Sequence, residues 1–499
     1  MKYLHKLLSF IVALTMVFAL GSMQATSVSA EETKTYNLTL TGTTTGHTYE
    51  AYQVFTGDLS TNAEGKKVLS NVEWGNGVTY TGKESAADVA KALGDGTMTI
   101  AQLIDKLTLT TVAKTVTSAK DSTVIDGLTA GYYLVKDKDG TQANTSDAYT
   151  KFIVQVVGDS EVQIKSDVPT VVKKVKDTND STGETSGWQD SADYDIGDDV
   201  PYQITGTLPD NIADYTTYKY IFTDTMSKGL TFNNDATIKI GDTVVTGSFE
   251  EAVTKGNDST VVTWTCNNLK GIQGVTLNKD TKVVVTYSAT LNENAVIGSA
   301  GNPNTVNLTY SNNPNKNGDG ETGKTPDDKN IVFTYKTVVN KVDQDGKTPL
   351  KGAGFTLQKK YKENGKTEYI EVGKINADGE KSTFEFTGLD DGDYKLIEST
   401  TPEGYNTIAP IEFTISAEHD KESDAPTLIS LSGNATNGKA EFSADKDAGS
   451  LTTDVVNKKG STLPETGGMG TTLLYGVGGV LVALAAVYVV YTKKNEKKQ

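Results

Sequence analysis

Across most of this chain the apolar residues recur at every second position in short Val/Ile/Thr/Tyr/Phe runs, and Gly, Asn and Asp break one run from the next. Successive side chains of a strand point to opposite faces, so such alternation predicts half-buried β-strands joined by turns. Tyr36-Asn37-Leu38-Thr39-Leu40, Tyr132-Tyr133-Leu134-Val135 and Phe152-Ile153-Val154-Gln155-Val156-Val157 are examples. One section departs from this period. From Ala86 to Leu107, Val89, Leu93, Ile100, Leu103 and Ile104 recur at helical spacing around a Gly94-Asp95-Gly96 break. The expected class is all-β, as tandem immunoglobulin-like sandwiches with a short helical section in the first domain. Cys266 is the sole cysteine, so no internal disulfide staples these domains. Its strand setting, Thr263-Trp264-Thr265-Cys266, predicts a buried and inert thiol.

Both ends read as processing elements rather than parts of the fold. Lys2 and Lys6 precede an apolar stretch from Leu7 to Leu20, and Val28-Ser29-Ala30 supplies small residues for cleavage, so 1–30 reads as a signal peptide. At the other end Leu463-Pro464-Glu465-Thr466-Gly467 precedes an apolar run from about Thr472 to Tyr491 and a lysine-rich tail. Twenty helical residues span about 30 Å, the thickness of a bilayer core, and the lysines hold the tail in the cytoplasm. Between the ends, composition divides the chain into 31–166, 167–330 and 331–462. In the second of these, Ser311 to Asn330 has no large apolar residue and reads as a linker or extended loop.

Charge and residue counts remove several function classes. The net charge is -17 and all 47 basic residues are lysines, a surface that repels nucleic acid and anionic membranes. Beyond the signal peptide only His47 and His419 remain, the first in a turn-like Thr45-Gly46-His47-Thr48 and the second in a charged loop. Neither has the local context of a hydrolase site. Asp343-Gln344-Asp345-Gly346 lacks the further ligands of a calcium loop and reads as a solvated turn. No metal or cofactor is expected.

Strand phase singles out two sets of polar residues. Lys341 alternates with Thr337 and Val339, Glu398 with Tyr394 and Leu396, and Asn457 with Val455. A Lys, an acid and an Asn each fall on an inward face, where any one alone would be costly to bury. Together they can react. Burial lowers the amine pKa and raises that of the acid, so a neutral Lys can attack the Asn carboxamide while the protonated acid polarises it and ammonia leaves. An equivalent set is Lys173 with Val171 and Val175, Asp224 with Tyr220 and Phe222, and Asn304 with Val306 and Leu308. Lys174 is the competing nucleophile there, with a phase that points outward. Closing a loop of over 100 residues would stabilise each domain by about 5 kcal/mol if the entropic arithmetic of cross-links transfers.

These segments carry a resemblance. Lys341-Val342-Asp343, Tyr394 to Tyr405 and Asn457 resemble the collagen-adhesin B-type domain. Pro169 to Val175 and Phe222 to Leu230 resemble the fimbrial isopeptide-forming domain of Gram-positive major pilins, and Gly131 to Asp137 resembles their N-terminal domain. The C-terminal arrangement is similar to the sorting signal read by sortases. The resemblance implies a sortase-assembled shaft pilin with Lys173–Asn304 and Lys341–Asn457 bonds, helped by Asp224 and Glu398. It implies cleavage between Thr466 and Gly467 and joining of Thr466 to an amine of another copy. The family's acceptor motif, Val-x-Val-Tyr-Pro-Lys, maps to Val162-Gln163-Ile164-Lys165, where the Tyr-Pro is missing; Lys165 is the candidate, with Lys173, Lys174 and Lys176 as competing amines. Implied partners are further copies of the chain, pilus and housekeeping sortases, peptidoglycan, minor pilins and host surface proteins, with no nucleic acid. The implied location is the Gram-positive cell wall. A non-polymerised wall-anchored adhesin is the second reading, and a wall-anchored hydrolase the third.

Overall fold

The structure is a computed structural model that describes residues 34–460, except 63–64, 139, 142–147, 165–167, 315–320, 364 and 438–439. The signal peptide, Lys165 and the Leu463 to Gly467 motif therefore lie outside the described residues. So does the apolar run at 472–491; among the described residues no helix is long and apolar enough to cross a membrane. The chain forms two compact units, one of 1–178, 185–334 and 419–429, the other of 179–184, 335–418 and 430–499.

The first unit begins with two sheets. Thr35–Thr43 pairs with Asp121–Thr129 and, in parallel, with Ser160–Gln163. Thr48–Thr61 pairs with Lys67–Trp74, Lys114–Thr117 and Gly131–Asp137, and the last of these with Lys151–Val156. The helical section is two helices, Ala86–Gly94 and Ile100–Asp105. Ser85 caps the first, and Thr99 with Gln102 forms a capping box on the second, which is why the chain can restart a helix so soon after the glycine break.

Residues 171–333 of this unit form a sandwich. One sheet runs Val171–Val175, Asp199–Thr207, Lys282–Leu291, Thr237–Ile240, Thr243–Val244, with Leu230–Phe232 also on Lys282–Leu291. The facing sheet runs Ser191–Asp193, Asp328–Phe333, Asn302–Ser311, Tyr220–Ser227, Ser259–Cys266, Glu250–Lys255. The alternation is followed closely: Val283, Val285, Tyr287, Ala289 and Leu291 are all buried from one strand, and Tyr220, Phe222, Asp224 and Met226 from the strand facing it. Cys266 is buried as expected, and burial raises its thiol pKa.

Among the described residues of the stretch read as a linker or extended loop, Ser311, 322–324 and 328–330 lie in strands. Asn302–Ser311 extends into it, and Thr322–Lys324 and Asp328–Phe333 both pair with that strand. These described residues are tied in by amide and hydroxyl bonds, which hydrophobic pattern misses. Asn307 donates to Asp327, Asn330 donates to the carbonyls of Lys173 and Asp190, and the Thr325 hydroxyl receives the Leu308 amide. The Asn304 strand is accordingly not the last of its sandwich; Asp328–Phe333 follows it.

The second unit is another pair of sheets. Thr383–Leu389, Tyr335–Val342, Ser450–Val456 and Ser443–Asp445 make one, and Lys366–Ile375, Gly354–Glu363, Gly392–Thr400, Ile411–His419 and Leu428–Ala435 the other. Here the first and last strands lie side by side in parallel, with Lys341 opposite Val455.

Asn302 shows how polar groups hold the first unit's late strands. It is fully buried, receives the Val296 amide at 2.8 Å and donates to the carbonyls of Val296 and Val332 at 3.1 Å. Asn302→Ala should make local opening easier by roughly 1–3 kcal/mol. Hydrogen exchange at Val296 should then speed up about ten- to hundredfold, while the Thr35–Thr43 sheet stays unchanged.

Candidate functional site: two buried lysines with amide partners

Lys173 sits on an outer strand of its sheet, yet its phase carries the side chain into the space between sheets, where it is fully buried. Asp224 and Asn304 reach the same space from the facing sheet, on adjacent strands whose register sets Asp224 opposite Val306 and Asn304 opposite Met226. The Lys173 Nζ lies 2.5 Å from Asp224 Oδ1 and 2.6 Å from the Tyr287 hydroxyl. That hydroxyl donates to Asp224 Oδ2 at 2.6 Å and receives Asn304 Nδ2 at 2.9 Å. The rings of Tyr202 and Tyr287 stack at 5.3 Å, with Nζ 4.9 and 5.0 Å from their centroids. Burial pushes the Lys173 pKa down, opposed by Asp224 and Asp328. Lys174 points the other way, to Asp190 at 2.8 Å and Glu422 at 3.3 Å.

Lys341, Glu398 and Asn457 are likewise buried in the second unit. The Lys341 amine donates to the carbonyls of Val455 at 2.7 Å and Val342 at 3.3 Å. Asn457 follows the last strand, its amide N–H bonded to the Val342 carbonyl, and its Nδ2 donates to Glu398 Oε1 at 2.9 Å. Glu398 Oε2 receives the Ile408 amide and the Thr401 hydroxyl, which fix the carboxylate. Burial, opposed by the charges of Glu398 and Asp343, brings Lys341 down to about 8. In both sites the Asn Oδ1 is buried with no hydrogen-bond partner in the protein.

Sequence reasoning missed several buried polar groups. Tyr287 links amine, acid and amide in the first site. Lys359, fully buried, pairs with Asp180 at 2.8 Å and Asp390 at 3.0 Å. His47 follows the Thr45–Gly46 turn and is buried against Asp137 at 2.8 Å, and His419 is not in a loop but buried at the end of a strand. All four were legible by the same rule: Tyr287 alternates with Val283 and Val285, Lys359 with Phe355 and Leu357, His47 with Tyr49 and Ala51, His419 with Phe413 and Ile415. In the N-terminal sheets Lys34 is exposed, and Asp137 has a histidine rather than a lysine beside it.

Family models match three stretches: a Gram-positive pilin backbone subunit, Cna-B-like domain, at 196–314; a prealbumin-like fold domain at 336–426; and an LPXTG cell wall anchor motif at 455–498. Residues 196–314 thus form a backbone-subunit domain of the Gram-positive pilin family, and 455–498 carry the wall anchor. Among solved structures, the T6 backbone pilin of serotype M6 Streptococcus pyogenes matches with a TM-score of 0.51 at 19% identity, over 87% of this chain and 100% of that one, a likeness of fold. The full-length major pilin SpaD of Corynebacterium diphtheriae gives 0.45 at 19% over 87% and 99%. A 35 kDa C-terminal fragment of the major pilin GBS80 of Streptococcus agalactiae gives 0.37 at 25% over 50% and 92%. No curated protein matches the chain.

The Lys341 environment sets a pH dependence for any attack by its amine. The reactive form is neutral, and its fraction falls tenfold per pH unit below a pKa of about 8. If the amine acts as nucleophile, ammonia loss at Asn457 should speed up from pH 6.5 to 8 and level off above. Peptide mapping of freshly synthesised full chain, sampled over time at each pH, checks this. A rate that falls as pH rises toward 8 would exclude the amine as the group titrating.

Proposed function

We propose that this pilin is a covalently polymerised shaft subunit whose two C-terminal sandwiches each carry a self-formed Lys–Asn amide bond. Its wall anchoring follows from the LPXTG model, and its class from the backbone-pilin model. The observation that carries the rest is the convergence of Lys173, Asp224 and Asn304 from facing sheets into one buried hydrogen-bonded network.

The reaction needs no other protein. Neutral Lys Nζ attacks Asn Cγ, the Cγ–Nδ2 bond breaks, and the nitrogen leaves as ammonia after taking a proton that the amine gives up. Asp224 through Tyr287, and Glu398 directly, stand where that proton must pass. A half-turn of the carboxamide exchanges Nδ2 for Oδ1; it would set the Asn457 carbonyl against the Glu398 carboxyl and the Asn304 carbonyl against the Tyr287 hydroxyl, either of which can polarise it when it offers a proton. The product is a neutral amide, so two desolvated polar groups are replaced by one uncharged link.

Polymerisation requires an exposed amine to receive Thr466 after a sortase cuts the motif. Lys173 is too buried to serve. Lys174 is held by two carboxylates, and Lys176 lies 5.0 Å from the Trp188 ring centroid. Lys165 follows Ile164, which is buried and bonded to the Thr41 carbonyl. It remains the acceptor we favour. Sortases, minor pilins and host proteins complete the proposed partners.

Two tests bear on this reading. Intact mass of the mature chain should be two ammonia lighter than its sequence; Asp224→Ala and Glu398→Ala should each restore one, and Tyr287→Phe should slow the Lys173 bond at least tenfold. An unmodified mass in the parent chain refutes the bonds. Separately, Lys165→Ala should abolish the high-molecular-weight ladder in wall extracts while leaving anchored monomer. A ladder that persists with its junction at Lys174 or Lys176 moves the acceptor and leaves the pilin reading standing.

A further inference from the structure

Asp177, Asp193 and His419 all belong to the first unit and bring three candidate ligand atoms within 4.8 Å of one another. Asp177 follows the Val171–Val175 strand, Asp193 ends the Ser191–Asp193 strand, and His419 ends Ile411–His419. The His419 Nε2 lies 3.5 Å from Asp177 Oδ2 and 3.5 Å from Asp193 Oδ1. An N–H···O bond to a carboxylate is normally about 2.7–2.9 Å, so both contacts are long for direct pairing. They suit a shared cation: ligands about 2.0–2.1 Å from a tetrahedral zinc are about 3.3–3.4 Å apart.

The surroundings orient the ring. Ser191 Oγ donates its proton to the Asp420 carbonyl, so at 2.7 Å from His419 Nδ1 it accepts from Nδ1–H. Nε2 is left facing two carboxylates, and a buried second partner on the far nitrogen is what metal-binding histidines carry. Asp193 is 2% exposed and its Oδ2 has no hydrogen-bond partner in the protein. Asp177 Oδ2 has one further polar contact, Gln189 Nε2 at 3.5 Å. An imidazolium would leave these two carboxylates with a net negative charge, whereas a divalent ion on neutral imidazole balances both.

We propose that Asp177, Asp193 and His419 bind one divalent cation of the zinc class, with water completing four-coordination. The mixed nitrogen and oxygen donors favour such a metal over calcium or magnesium, which take oxygen sets. The ion fastens the 419–429 segment, otherwise held by bonds from Asp190 N–H to the Lys421 carbonyl and from Ser423 N–H to Asp190 Oδ2. This inference is independent of the Lys–Asn bonds.

The competing state is a protonated histidine. Burial lowers the His419 pKa, but the two carboxylates outweigh it and hold it at about 9. Mature chain treated with a chelator and dialysed would be titrated with Zn²⁺ by calorimetry, with metal content read by mass spectrometry and geometry by the visible spectrum of the Co²⁺ form. One ion per chain with a tetrahedral Co²⁺ spectrum is expected. Asp193→Asn and His419→Gln should each weaken binding more than tenfold; Asp177→Asn serves if either fails to fold. Absence of stoichiometric binding by the parent chain would overturn the proposal in favour of the imidazolium. Undiminished binding in the folded variants would overturn it too, because the ion would then sit elsewhere.

Discussion

A lysine amine taken out of water between two sheets is the constraint around which the rest of each sandwich is arranged. Even after relaxation, desolvating an ion costs several kcal/mol, and attraction repays this only where every donor finds a partner. Three fully buried lysines meet that demand in three ways. Lys173 has a carboxylate, a phenol and two ring faces. Lys341 has two main-chain carbonyls. Lys359 has two aspartates. Only the first two share a hydrogen-bonded pocket with an asparagine whose oxygen is unpartnered, and this separates a reactive arrangement from an ion pair.

The two candidate sites reach similar chemistry by different geometry. In the first unit amine and acid are in direct contact, and Tyr287 mediates between the acid and the amide. In the second the acid holds the amide directly, and the amine is held by the strand that ends just before Asn457. The longer Glu side chain spans in one step what Asp and Tyr span in two. The parallel pairing of first and last strands also brings Lys341 beside Asn457 through backbone register alone, with no facing sheet involved.

Period-two phase made much of this legible. It assigned strands, the inward faces of Lys173, Asp224, Asn304, Lys341, Glu398 and Asn457, and the outward turn of Lys174. Phase reports a face, however, and not who stands opposite. Tyr287 lies 63 residues from Asp224 and 114 from Lys173, and nothing local announces their meeting. His47, His419 and Lys359 were in phase too, but a polar residue on an inward face gains meaning only when its partner is known. The strands within 311–330 were missed for another reason: the bonds from Asn307 to Asp327 and those of Thr325 and Asn330 tie the described residues in, and a search for apolar runs is blind to them.

The two bonds would divide load differently. With tension entering ahead of Lys173 and crossing to Asn304, residues 174–303 lie off the path, shielded by a covalent shortcut. The chain after Asn304 stays on it, and its described strands are held both by buried apolar side chains such as Val306, Leu308 and Val332 and by the amide bonds of Asn307 and Asn330. In the second unit the shortcut runs from Lys341 to Asn457 and leaves on the path only the start of one strand and the three residues after Asn457 that the structure describes. Buried polar bonds are short-ranged and all-or-none, so they suit a segment that must hold its register under load better than apolar contacts, which slide at little cost. The bonds of Asn307 and Asn330 thus add register-fixing contacts to the strands that stay outside the covalent clamp.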